Sequence, residues 1–132
     1  MRKLLLVLTG LACLLASVDA YPHHSFSAEF DIGRPVKLVG TAKKFEWTNP
    51  HAWVHLEVKD EQGKGQLWAV ELLGVNALVR SGMSAKTVLP GDKLTVTGFG
   101  ARNGTNTANA SSVNRTDTGE ILWTSGAAGT GR

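Results

Sequence analysis

The sequence is poor in the residues that most often announce a function. Its single cysteine, Cys13, cannot build a disulfide framework or a cysteine-rich zinc site. Charge of one sign is scarce too, since 14 Lys+Arg against 11 Asp+Glu leave a net charge of +3 over 132 residues. Beyond the N-terminus only Lys43-Lys44 form a basic pair, so no basic stripe is available to a nucleic-acid backbone, and nucleic acid is not an expected partner. There is no internal repeat and no heptad pattern, and low complexity is confined to the Gly/Ala-rich tail, 125–132. The apolar run Leu4–Ala16 falls short of the roughly 20 residues that an ordinary membrane helix needs. What is present is a globular composition. An apolar fraction of 42% and four tryptophans argue for a packed core rather than a disordered chain.

That apolar run reads as an address. Arg2 and Lys3 make a positive start, Leu4–Ala16 an apolar centre, and Val18-Asp19-Ala20 a short-residue cleavage site. A secretory signal peptide over 1–20 is therefore expected, with a periplasmic or secreted product. Cys13 lacks the leucine of a lipobox three residues before it, where Gly10 stands, which favours simple cleavage after Ala20. The leader carries Arg2, Lys3 and Asp19, a net +1, so 112 residues with a net charge of +2 and no cysteine would remain. No membrane span is expected after cleavage. The expected layout is a single domain, 21–132, with an N-terminal arm over 21–34, a core over 35–124 and a flexible tail over 125–132.

The remaining chain divides into short β-like runs. Val36–Trp47 predicts a first strand with Val36, Leu38, Gly40 and Ala42 on one face, Gly40 marking a bend or bulge. Thr48-Asn49-Pro50 predicts a turn. Ala52–Val58 alternates cleanly, placing Ala52, Val54, Leu56 and Val58 on one side and His51, Trp53, His55 and Glu57 on the other. Gln66–Leu72 continues as a third strand after a polar hairpin, with Trp68, Val70 and Leu72 toward the core. Asn76–Ser81 predicts a short helix closed by Gly82. Lys93–Phe99, Thr107–Arg115 and Glu120–Trp123 complete six strands. The expected class is all-β with one short helix. Three strands, a helix and three more strands suit a small OB-like Greek-key barrel, which leaves few free sheet edges. An immunoglobulin-like sandwich is the alternative, although it would not expect that helix.

Histidine carries the chemistry: His23, His24, His51 and His55 all lie in the first half of the chain. On a strand, His51 and His55 stand about 13 Å apart, too far for a two-point metal site at N–metal distances near 2.1 Å. A mixed set joining His23 or His24 to His51 or His55, with Glu46 (or Glu57) as an oxygen donor, would suit copper(II) or zinc. The alternative is a solvent-exposed His-His arm beside two polar strand residues. If cleavage falls after Ala20, Pro22 lacks the amide N–H that an N-terminal copper grip must deprotonate. Trp53 and Asn49 are candidate contacts for a small ligand, since they flank the strand-two face and the loop before it. Ser25 beside His23 and His24 lacks the acid and oxyanion loop of a nucleophile triad, and Glu46 and Glu57 are not obviously paired for acid/base work, so an enzyme is not expected.

Several motifs follow one another in order: His23-His24-Ser25-Phe26, Ala28-Glu29-Phe30-Asp31, Glu46-Trp47-Thr48-Asn49-Pro50-His51, Trp68-Ala69-Val70-Glu71 and Pro90-Gly91-Asp92. With Pro35-Val36 and Asn76-Ala77-Leu78, this set resembles a widespread bacterial family of small exported proteins of unknown function, over nearly all of 21–124. The resemblance implies a periplasmic or secreted location and one compact β domain, and supplies no catalytic residue. Two departures stand out. Tyr21-Pro22 precede the His-His pair, and Gly82-Met83 stand where the family usually has Gly-Trp. The resulting expectation is an exported, non-enzymatic binding module for a metal ion or small polar ligand. The alternative is a protein-interaction or envelope-assembly module using the Trp53 face.

Overall fold

The computed structural model describes residues 25–125. Helix α1 (Phe26–Glu29) leads into strand β1 (Phe30–Glu46), followed by β2 (Trp53–Lys59), β3 (Gly65–Glu71), helix α2 (Val75–Arg80), β4 (Lys93–Ala101), β5 (Thr107–Arg115) and β6 (Ile121–Thr124). The sheet is mostly antiparallel, in the order β3-β2-β1-β4-β5-β6, and β3 also pairs in parallel with β5. The β-rich expectation with a helix between the third and fourth strands holds. A second helix, α1, is added, and strand β1 begins at Phe30, before the expected start at Val36. The expected signal segment, the His23-His24 pair and most of the tail lie outside the described residues.

Strand β1 spans both neighbours. Its first part pairs with β4 from Phe30 to Thr41, and its last part pairs with β2 from Gly40 to Glu46. The register shift lies between Ala42 and Lys44, so Lys43 bulges rather than Gly40. Gly40 has a different job. A Cβ there would sit 2.3 Å from the Glu57 carbonyl oxygen, so only glycine lets β1 and β2 approach this closely. Gly98 does the same on β4, where a Cβ would lie 2.0 Å from the Asn109 carbonyl oxygen.

The inward sets are those that the period-two pattern selects. Leu38 and Ala42 on β1, Ala52, Val54 and Leu56 on and before β2, Val70 on β3, Leu94 and Val96 on β4, Val113 on β5 and Trp123 on β6 are all buried in one cluster. Each large side chain sealed there contributes about 1.5–3 kcal/mol of hydrophobic transfer. Helix α2 adds Leu78 from outside the sheet, and Met83 and Val88 follow it into the same cluster.

A helix of six residues needs both ends fixed to survive, because nucleation costs more than so few hydrogen bonds return. The Asn49 side chain supplies the first end, its Oδ1 accepting from the Val75 N–H at 3.0 Å. A Schellman pair supplies the second: Gly82 N–H donates to the Val79 carbonyl and Met83 N–H to the Leu78 carbonyl, each at 3.0 Å. Gly82 sits at φ +92°, which explains the glycine. Turn chemistry closes the opposite side of the sheet. Gly91 N–H donates to the Ala42 carbonyl, and Asp92 is gripped by Arg115 Nη1 at 2.9 Å.

Candidate functional site

The outer faces of β1, β2, β3 and β5 form one surface, and the strand register sets its rows. Glu46 on β1 stands opposite Trp53 on β2, Trp53 opposite Glu71 on β3, and Glu71 beside Asn109 on β5. An indole is thus bracketed by two carboxylates on neighbouring strands. His51, just before β2, and His55, on it, lie on either side of this row. His51 Nδ1 is 3.2 Å from Glu71 Oε1, and His55 Nε2 is 3.4 Å from Glu46 Oε2.

The two pairs differ in environment. Glu71 is only 6% exposed, with His51 at 3.2 Å and Asn109 Nδ2 donating to Oε1 at 3.4 Å. Burial pushes its carboxyl above the usual carboxylate range, outweighing the pull of His51, while nearby Glu29 pushes the same way. Glu46 is more open. The Lys44 ammonium, hydrogen-bonded to it, holds its carboxyl below the usual range, and His55 adds to the effect. His55 Nε2 is sealed from solvent and makes no well-aligned hydrogen bond, facing Glu46 only as a long contact.

Two clefts open on this surface, with Glu29 and Phe30 lining both. The first, about 280 Å³, is walled by Phe26, Leu72 and Leu73 and floored by His51, Glu71 and Asn109. The second, about 320 Å³, lies against Trp53 and is rimmed by Arg102, Asn103 and Thr105 of the β4–β5 connection and by Thr107 at the start of β5. Helix α1 stays at their junction through backbone and aromatic contacts. Arg102 Nε donates to the Ser27 carbonyl at 2.7 Å, Arg102 N–H to the Glu29 carbonyl at 2.9 Å, and the Phe26 ring lies 5.6 Å from Phe30 and 5.9 Å from Phe99. A third cleft, at Gly40, Lys59 and Lys93, contains no histidine or aromatic side chain.

The expected site residues are therefore divided. Glu46 joins His55, while His51 joins Glu71 instead, and no group of three or more His, Cys, Asp or Glu able to hold a metal ion forms among the described residues. Glu57, the other oxygen donor considered, pairs with Lys43 at 2.9 Å. Trp53 lines a cleft. Asn49 has its side-chain oxygen committed to the first turn of α2. Glu71 is the residue that sequence reasoning missed. Its motif, Trp68-Ala69-Val70-Glu71, was visible, but only the β2–β3 register brings it beside Trp53 and within reach of His51.

The chain matches the Family of unknown function (DUF6152) over residues 11–110 and belongs to that family. Comparison with curated proteins and with solved structures finds no match. No helix among the described residues is long and apolar enough to cross a membrane.

Proposed function

We propose that this protein is an exported, non-enzymatic binding module that takes a copper(II) or zinc ion, or a small polar ligand, at the His51–Glu71 cleft. The supporting observation is Glu71 itself. A carboxyl is kept buried at a cost in stability, 3.2 Å from an imidazole, and both line a cleft. A histidine and a carboxylate are two donors of the mixed kind that these ions accept, and a third donor is needed for a firm site. Phe26, two residues after His24 in the chain, lines the same cleft. His23 or His24 is the third donor in this reading. The fold reading that accompanies it is an OB-like Greek-key barrel, supported by the pairing circuit β1–β2–β3–β5–β4–β1.

Isothermal titration with Cu(II) and Zn(II) tests the proposal. The expected result is a Kd of about 10 µM or tighter, equivalent to roughly −7 kcal/mol, weakened in His51→Ala and in a His23→Ala/His24→Ala chain. Equal binding by the native chain and these variants, or no binding, refutes the metal site. A second reading, a protein-contact surface, draws on the half-buried Trp53 and on Leu67, 59% exposed on the same outer face. It predicts a cross-linked partner lost in Trp53→Ala and indifferent to chelator.

A further inference from the structure

We infer that the cleft against Trp53 is a saccharide site, taking the ring of a neutral, polyhydroxylated sugar beside the cleft assigned to the metal. A pyranose is amphipathic in a particular way. One face of the ring is a patch of C–H groups, and its rim is a belt of hydroxyls, each both donor and acceptor. Such a ligand needs a flat apolar platform ringed by hydrogen-bond donors and acceptors. Trp53 offers the platform at the start of β2. Around it stand Glu29 and the Thr105 hydroxyl oxygen, which accept, Arg102 and the Asn103 amide N–H groups, which donate, and the Thr107 hydroxyl, which does both. The volume, about 320 Å³, lies at the lower end of the 300–1,000 Å³ typical of small-ligand sites.

Charge narrows the choice. An anionic ligand would face Glu29 on the rim, with Glu46 and Glu71 as the cross-strand neighbours of Trp53. A cationic ligand would face Arg102. A neutral polyol meets neither repulsion and uses both signs. A nucleotide base would also stack on an indole, but its phosphates would run into the same carboxylates, whereas strand-binding grooves are basic.

The rim is organised before any ligand arrives. Arg102 is fixed through its side chain to the Ser27 carbonyl and through its backbone to Glu29. Asn103 Oδ1 accepts from the Thr105 N–H at 3.1 Å and from the Thr105 hydroxyl at 2.7 Å, which pins the turn of the β4–β5 connection. These contacts reduce the side-chain freedom that Arg102, Asn103 and Thr105 would lose on binding, which matters for a ligand with few apolar atoms.

The experiment is an NMR titration of the isotope-labelled chain, in chelator, with glucose, N-acetylglucosamine and cellobiose, and with glucuronate and glucosamine as charged comparators. At least one neutral sugar is expected to shift the Trp53 indole resonance and the Asn103–Thr107 amides, saturating with a Kd of about 1 mM or tighter. Trp53→Ala weakens this about tenfold or more, Trp53→Phe retains part of it, and Thr107→Val weakens it several-fold. His51→Ala leaves it unchanged, so loss of metal binding and loss of sugar binding are read separately. The inference is overturned if none of the neutral sugars moves these resonances. Tighter binding of a charged comparator, or shifts that survive in Trp53→Ala, also overturn it. Should Trp53→Ala fail to fold, the Trp53→Phe and Thr107→Val chains decide.

Discussion

Replacing Glu71 by glutamine should make the protein more stable at pH 8 and leave it nearly unchanged at pH 4. The carboxyl is 6% exposed and meets one imidazole and one amide, so its charged form loses more hydration than these partners return. Its folded-state pKa is accordingly raised above the unfolded value of about 4.3. The sign follows from proton linkage. Between the unfolded and the raised folded pKa the native state holds more protons than the unfolded chain, so stability falls as pH rises through that window. Below about pH 4.3 the acid is neutral in both states and the penalty vanishes. Glutamine keeps the shape and one acceptor oxygen while removing the charge. The expected gain at pH 8 is about 1 kcal/mol, the size of one mismatched buried hydrogen-bonding group. For a domain of this size that is a rise of about 4–8 °C in Tm. Urea unfolding of both chains from pH 4 to pH 8 measures it. A Glu71→Gln chain that is less stable at pH 8, or a difference independent of pH, would show that His51 fully compensates the carboxylate. The reasoning that Glu71 is retained for binding rather than for stability would then be refuted.

Asn49→Ala removes the cap on α2 and should cost about 1 kcal/mol, within the 0.5–2 kcal/mol usual for a lost cap, read as a lower urea midpoint with an unchanged m-value. Leu78→Ala empties the contact between α2 and the core and should cost about 2–5 kcal/mol by the same measurement. Gly40→Ala forces a Cβ to within 2.3 Å of the Glu57 carbonyl oxygen and should either prevent folding or shift the β1–β2 register, visible as loss of the native NMR spectrum. Asp92→Asn should destabilise at neutral pH and converge with the native chain in acid. The Leu89 N–H first, and Arg115 second, hold the Asp92 carboxyl below its usual range. The stability it contributes is therefore present above an unfolded pKa of about 3.9 and lost as pH falls through the lower folded value.

How far the sequence could be read follows from which interactions are local. The alternation from Ala52 to Val58 and the pairing of Gly82 with a short helix depend on neighbours in the chain, and both are found as expected. Helix α1 was not legible because its four residues have no periodicity to detect. Long-range contacts hold it instead, from Arg102 to Ser27 and from Phe26 to Phe99. The same distinction explains the site. Spacing on a strand predicts that His51 and His55 stand apart, and the two contact different acids, Glu71 and Glu46. It cannot pair either with an acid, because that depends on which residues stand opposite across the sheet. One residue of slip between β2 and β3 would turn Glu71 away from the face that carries Trp53, and the His51–Glu71 contact would not exist. A binding face on a sheet is thus written in register rather than in motif. The close approach at Gly40 favours one alignment of β1 on β2, and the Asn49 contact ties their connection to the helix that follows β3. The Glu-Trp-Thr-Asn-Pro-His run spans most of the β1–β2 connection, and its first residue, Glu46, stands opposite Trp53 across the two strands it joins.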